Sequence, residues 1–251
     1  MAWYENFFDD WYLKYWMNWI TAEHTTEDVD AAERFLGLGP GAKVLDLCCG
    51  QGRHVHEFFR RGYEAVGADL SETLLAEARR LAEAEGLDVE FVRSDMREIS
   101  FEGEFDAVTN FYTAFGYFEK DEENQAVLDA VGRALKPGGR FLLDYPCLEG
   151  RMAGWKTQRW IEFEDGTVLL HGIEHNVFDQ TIRNTALYIT AENERHRTGF
   201  TLRHYYGREL RACFEKAGMD VAAVYGDKSG KALANTDSRV IVIGQKCESH
   251  S

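Results

Sequence analysis

Hydrophobic and polar positions change their rhythm twice along this chain. Over 3–20, large apolar residues recur three and four apart, at Trp3, Tyr4, Phe7, Phe8, Trp11, Tyr12, Tyr15, Trp16, Trp19 and Ile20. That spacing predicts one helix with an almost wholly aromatic face. A second helix is expected over about 27–36, capped by Thr25 or Thr26 and stopped by Gly37, Gly39, Pro40 and Gly41. From Lys43 the pattern alternates. Short apolar runs at 43–47, 64–68, 88–92, 105–110 and 140–145 are separated by helical periodicity at 52–61, 71–85 and 122–135. Such alternation implies a parallel, doubly wound sheet with helices on both faces.

After Pro146 the period drops to two. Runs at 160–164, 168–175, 185–190 and 199–205 predict four antiparallel strands, with Asp165-Gly166 marking one hairpin turn. A helix over 208–217 and strands over 219–225 and 239–245 follow. The organisation read from this is a helical lid or cap over 1–40, a nucleotide-binding core over 41–150 and 206–247, and an inserted antiparallel sheet over 151–205. An insertion just past the fifth strand emerges at the ligand end of such a sheet. The plainer alternatives make the insertion, or the aromatic helix, the interface of a homodimer. Among the helix residues Tyr12 and Tyr15 are the substrate-binding candidates, since a hydroxyl suits a mouth between protein and ligand.

The strand ending at Leu47 runs into Cys48, Cys49, Gly50, Gln51 and Gly52, residues small enough for backbone to approach a ligand closely. Asp69 stands at the tip of the second strand, where an acid accepts hydrogen bonds from ribose hydroxyls. A dinucleotide site would need G-x-G-x-x-G, whereas Cys48 and Val55 fill the first and third glycine positions. Asp46 would repel a diphosphate but would pair with an ammonium. The expected ligand is therefore a nucleoside carrying an amino group. Strand ends gather Cys48, Asp69, Asp95, Asn110 and the aromatic run after it around one crevice.

In these residues the chain resembles the class I S-adenosylmethionine-dependent methyltransferases. Asp46, Cys48, Gly50 and Gly52 match the family's acid-x-G-x-G-x-G loop, with Cys48 in place of a glycine. Asp69, followed by Leu70, matches the ribose acid, and Asp95-Met96 the segment flanking adenine. Leu135-Lys136-Pro137-Gly138-Gly139 matches the turn before the fifth strand. The stretch from Val108 to Phe118 is similar to the fourth-strand motif of aminosugar N-methyltransferases and their relatives. The resemblance implies a Rossmann-like α/β fold, doubly wound, with a seven-stranded, mostly parallel sheet and the inserted antiparallel sheet as roof. It also implies S-adenosyl-L-methionine as donor, S-adenosyl-L-homocysteine as product, and cofactor contacts from Asp46, Cys48, Gly50, Gly52, Asp69, Leu70, Asp95, Met96, Asn110 and Phe111.

Charge narrows the acceptor. The 251 residues carry 28 basic and 43 acidic side chains, a net charge of −15, which repels phosphate backbones and anionic lipid. A small-molecule methyl acceptor, methylated on nitrogen or oxygen, is expected, with neither nucleic acid nor membrane as partner. No apolar run approaches a membrane span and no secretory signal opens the chain, so a cytoplasmic place is expected. Five cysteines without metal-pair spacing read as reduced thiols. Methyl transfer is an in-line displacement that needs no protein nucleophile. A general base, where one is needed, would be histidine or tyrosine, and the catalytic candidates are Tyr112, Tyr117 and His175. His171 and His175 fall on one strand face with Glu174 nearby, but the spacing matches no familiar metal motif, and no metal is expected. Arg53 and Lys14 are candidates for the donor's carboxylate, and His54 reads as packed. A non-catalytic nucleotide-binding module of the same fold is the competing reading.

Overall fold

The computed structural model describes residues 2–17, 20–112, 114–148, 150 and 156–248. Strand β1, Lys43–Leu47, is buried from Val44 onward and lies in the interior of a seven-stranded sheet. Its parallel neighbours are β2, Glu64–Asp69, and β4, Phe105–Asn110. Beyond them stand β3, Glu90–Arg93, on one side and β5, Leu135–Pro146, on the other, both parallel. Strands β10, Met219–Tyr225, and β11, Arg239–Lys246, close the sheet as an antiparallel hairpin against β5, giving the order β10-β11-β5-β4-β1-β2-β3. The order reverses direction between β1 and β4, so a crevice opens beyond their carboxyl ends.

Helices α1, Ala22–Leu36, α2, Arg53–Arg60, α3, Glu72–Glu85, α4, Asp121–Ala134, and α5, Gly207–Lys216, cover the faces. Two differ instructively from expectation. Helix α1 begins five residues before position 27, because the Thr21 hydroxyl accepts the His24 amide at 3.3 Å and so caps the helix ahead of Thr25 and Thr26. The aromatic stretch is not one helix. It makes a 3-10 turn at Trp3–Glu5, bends through 6–9, and makes a wide turn at Tyr12–Trp16; Trp19 lies outside the described residues. The reason is that its rings serve two surfaces a straight stripe could not reach. Trp3 packs at 4.8 Å from Tyr117 and Tyr4 at 5.3 Å from Phe118 of the core, whereas Trp11 and Tyr15 pack at 5.4 and 5.2 Å from Tyr188 of the insertion.

The insertion is a meander of β6, Gln158–Glu162, β7, Val168–Asn176, β8, Thr181–Ile189, and β9, Arg195–Arg203. Its first part, 151–155, lies outside the described residues. One face buries Leu169, Ala186 and Tyr188 against Trp11, Tyr15 and Trp16. Its end is pinned to the core: the Arg203 amide donates to the Gly116 carbonyl at 2.7 Å, and the Tyr145 hydroxyl donates to the Arg203 carbonyl at 3.2 Å. Gly116 sits at φ 95°, and a Cβ there would meet the Arg203 carbonyl oxygen at 2.3 Å, so only glycine allows this approach. The sheet is thereby held over the Phe111–Phe118 loop.

Candidate active site

At the switch point the chain leaves β1 through Cys48, Gly50 and Gly52, all left-handed at φ 60°, 56° and 76°. A Cβ on Gly52 would stand 2.7 Å from the Phe91 ring, so this glycine is required by packing from behind the loop. The loop's amides are tied to the second strand. Asp69 accepts the Gly50 amide through Oδ2 at 2.9 Å and the Ser71 amide through Oδ1 at 2.9 Å. Burial pushes the Asp69 carboxyl upward while these amides oppose the shift. Each oxygen keeps a further lone pair for a ribose hydroxyl.

The crevice encloses about 940 Å³, part of it open to solvent. Asp46, Cys48, Gly50, Asp69, Leu70, Asp95, Met96 and Phe111 all line it, whereas Asn110 and Gly52 shape it from behind. Asn110 donates to the Leu47 carbonyl at 2.9 Å and so holds the end of β1. Asp46 is buried; its Oδ1 accepts the Thr109 hydroxyl at 2.8 Å, and its Oδ2 has no hydrogen-bond partner, with His54 Nδ1 standing 3.4 Å away. An orphaned carboxylate oxygen on the crevice wall fits the ammonium of the amino-acid part of S-adenosylmethionine. Asp95 is held by Arg97, whose Nε reaches Oδ1 at 3.0 Å and Nη2 reaches Oδ2 at 2.6 Å. The apolar walls of Leu70 and buried Met96 suit adenine, with Cys48 Sγ 3.5 Å from Met96 Sδ.

A second cavity adjoins the first and shares Phe8, Tyr12, Ile20, Tyr112 and Tyr117 with it. The core, the aromatic segment and the inserted sheet meet there, which makes it the candidate acceptor cavity. Burial, and secondarily Asp69, push the Tyr12 hydroxyl up to about 12. Burial likewise pushes Tyr117 well upward. The Tyr112 ring, on a left-handed backbone at φ 60°, faces the cations of Arg53, Arg239 and Lys228 at 4.7, 5.0 and 5.8 Å.

Three placements correct the expectations from sequence. Tyr15 lines neither cavity; its hydroxyl donates to Asp165 at 2.9 Å and lies 3.0 Å from the Thr167 hydroxyl, tying the aromatic segment to the β6–β7 hairpin. His175 also lies outside both cavities, while His171, four residues back on the same face of β7, lines the second cavity. Lys14 pairs with Asp165 at 2.7 Å on the surface and cannot serve the donor, whereas Arg53 does line the crevice.

Sequence reasoning passed over Asp28. This wholly buried carboxylate takes Lys228 at 2.6 Å, Arg53 at 3.0 Å and His54 at 3.1 Å. The signal was present: Asp28 interrupts the buried face formed by Thr25, Val29 and Ala32 on α1. Lys228 and Arg239, also missed, carried no local signal.

The doubly wound sheet of this strand order brings the glycine corner, Asp69 and the orphan Asp46 oxygen together at its switch point. Residues 44–139 match the family described as a methyltransferase domain. The chain is 25% identical over 224 residues to the dTDP-3-amino-3,4,6-trideoxy-alpha-D-glucopyranose N,N-dimethyltransferase of Streptomyces venezuelae, covering 84% of this chain and 90% of that one. The CcbJ methyltransferase of Streptomyces caelestis shares the fold with a TM-score of 0.82 at 19% identity, over 97% of this chain and 99% of that one. CalS10 of Micromonospora echinaspora, an amino pentose methyltransferase solved with its donor bound, superposes with a TM-score of 0.65 at 21% identity, over 94% and 96%. The protein is an S-adenosylmethionine-dependent methyltransferase of the small-molecule type. It is thus an enzyme, and the non-catalytic alternative falls away. Among the described residues no helix is long and apolar enough to cross a membrane.

Proposed function

We propose that this enzyme transfers the methyl group to the nitrogen of a neutral amine on a small metabolite. The observation that carries the reading is that, among the described residues, no side chain lining the acceptor cavity is placed to take a proton. No carboxylate lines it among the described residues. Arg159 Nε donates to His171 Nδ1 at 3.1 Å, so the neutral ring carries its proton on Nε2. The Thr21 amide donates to His24 Nδ1 at 3.2 Å with the same consequence. Burial, with Arg159 second, holds His171 below the usual histidine value, so it stays neutral and offers an N–H. Phenols remain protonated near neutrality, and those of Tyr12 and Tyr117 are pushed higher still.

A hydroxyl acceptor would lack the base it needs, but a free amine is already a nucleophile. Its lone pair attacks the methyl carbon as the carbon–sulfur bond breaks, and that bond's electron pair stays on sulfur. The methylated nitrogen then releases its proton to water. Arg239 and Lys228 on the cavity wall disfavour the ammonium form of the acceptor and so favour the reactive one. Aromatic faces of Phe8, Tyr12 and Tyr117 suit the donor's sulfonium. The amino-sugar substrates in the names of two of the similar proteins support the same nitrogen. The test is a set of metabolite pairs differing only in amine against hydroxyl, read by release of S-adenosylhomocysteine. Turnover of the amine members supports the reading, and equal or better turnover of the hydroxyl members contradicts it.

A further inference from the structure

The acceptor cavity has a charge opposite to that of the protein around it. Among the described residues its cationic and imidazole lining is His24, Arg159, His171, Lys228 and Arg239, set beside the phenols of Tyr12, Tyr112 and Tyr117 and with no carboxylate, in a chain of net charge −15. The carboxylates that hold these cations stand behind the wall rather than on it. Asp28 and Asp144 are buried, and they are shared among Arg53, Lys228 and Arg239, two acids for three fixed cations. On the roof side, the Nδ1 of His171 is occupied by Arg159, so its buried Nε2 presents a proton beside the Asn184 side chain. Every fixed charge and the locked imidazole thus offer donors, and none offers a charged acceptor.

Resting on the reading of this cavity as the acceptor site, we infer that the methyl acceptor carries an anionic group, a phosphate or a carboxylate, seated between Lys228 and Arg239 of the core and Arg159 with His171 of the inserted sheet. Fixed cations outnumber the buried acids behind this wall, and an oxyanion accepting charge-assisted hydrogen bonds from it balances the excess. The acidic exterior makes the effect selective, since the field inside the cavity is what draws an anion past an otherwise repelling surface. The same group would fix the orientation of the acceptor, because its contacts span both the roof and the core while the reacting amine reaches toward Tyr12 and Tyr117.

The experiment needs no turnover, so its outcome is separate from that of the nitrogen assignment. The enzyme saturated with S-adenosylhomocysteine is titrated by calorimetry with inorganic pyrophosphate and, separately, with acetate. Arg159→Met and Lys228→Met are titrated alongside, with affinity for S-adenosylhomocysteine as the check that the donor site is intact. The expected result is saturable binding of at least one anion, weakened about tenfold or more in each variant as a charge-assisted hydrogen bond is lost. Preference for pyrophosphate identifies a phosphate-bearing acceptor and preference for acetate a carboxylate-bearing one. Failure of both anions to bind, or equal binding by wild type and variants, overturns the inference.

Discussion

Lys228 places its ammonium 2.6 Å from the buried carboxylate of Asp28, whose other oxygen holds Arg53 at 3.0 Å. Lys228 faces the acceptor cavity and Arg53 the donor crevice, so one carboxylate on α1 positions charges in both halves of the site. Burial alone would raise the Asp28 carboxyl, but His54, Lys228 and Arg53 together hold it well below the ordinary carboxylate value. Asp28→Asn is expected to cost about 3–5 kcal/mol, because it strands buried cations. A depressed carboxyl contributes stability that is full above its unfolded value of about 4 and is lost as pH falls below it. The melting-temperature gap between wild type and Asp28→Asn should therefore be wide at neutral pH and narrow in acid. An equal gap at both pH values would show that the charge on Asp28 is not what stabilises the fold.

Asp69 braces the glycine loop through the Gly50 amide, and its remaining lone pairs are the ones the account assigns to the ribose hydroxyls. Asp69→Ala should weaken S-adenosylhomocysteine binding by about 1–3 kcal/mol, the loss from hydroxyls left unpaired in a closed crevice. Calorimetry giving wild-type affinity would remove Asp69 from donor recognition.

For Tyr15 the prediction follows from its bonds to Asp165 and Thr167. Tyr15→Phe should lower stability by about 1–3 kcal/mol and leave KM for the acceptor unchanged. A raised KM with unchanged melting temperature would return Tyr15 to the substrate.

Burial pushes the Tyr117 hydroxyl upward, so the proposed mechanism gives it the role of a wall and not of a base. Tyr117→Phe should reduce turnover by less than about tenfold and leave the shape of the pH–rate profile alone. Loss of about a hundredfold or more, with a vanished limb in that profile, would instead be the mark of acid–base catalysis by this phenol.

What could be read from the residues alone was whatever depends on near neighbours. The β1 corner, Asp69 and the strand boundaries of Phe105–Asn110 follow from runs of a few residues whose spacing has one physical solution. The two-period pattern likewise located the insertion, since alternation of buried and exposed positions along β8 is a local property. Contacts between distant parts were not legible. Lys228 and Arg239 reach Tyr112 from a polar loop and a final strand, and nothing in their own surroundings announces a site. His171 and His175 share a strand face, and only the seating of the roof decides which of them meets the cavity. The aromatic segment failed as a helix for a related reason. Its spacing allows one, but Trp3 and Trp11 are claimed by different partners, Tyr117 and Tyr188. Packing outweighs local propensity in such a stretch.

The most direct test of nitrogen as the methyl acceptor is to follow the atom that receives the methyl. Candidate amines labelled with nitrogen-15 are incubated with enzyme and donor carrying a carbon-13 methyl, and the product is examined by nuclear magnetic resonance. The account predicts a product methyl carbon with one-bond coupling to the labelled nitrogen, at a rate that rises with pH as the free amine is populated. A labelled methyl carbon in the product without nitrogen coupling, bonded instead to oxygen, would contradict it.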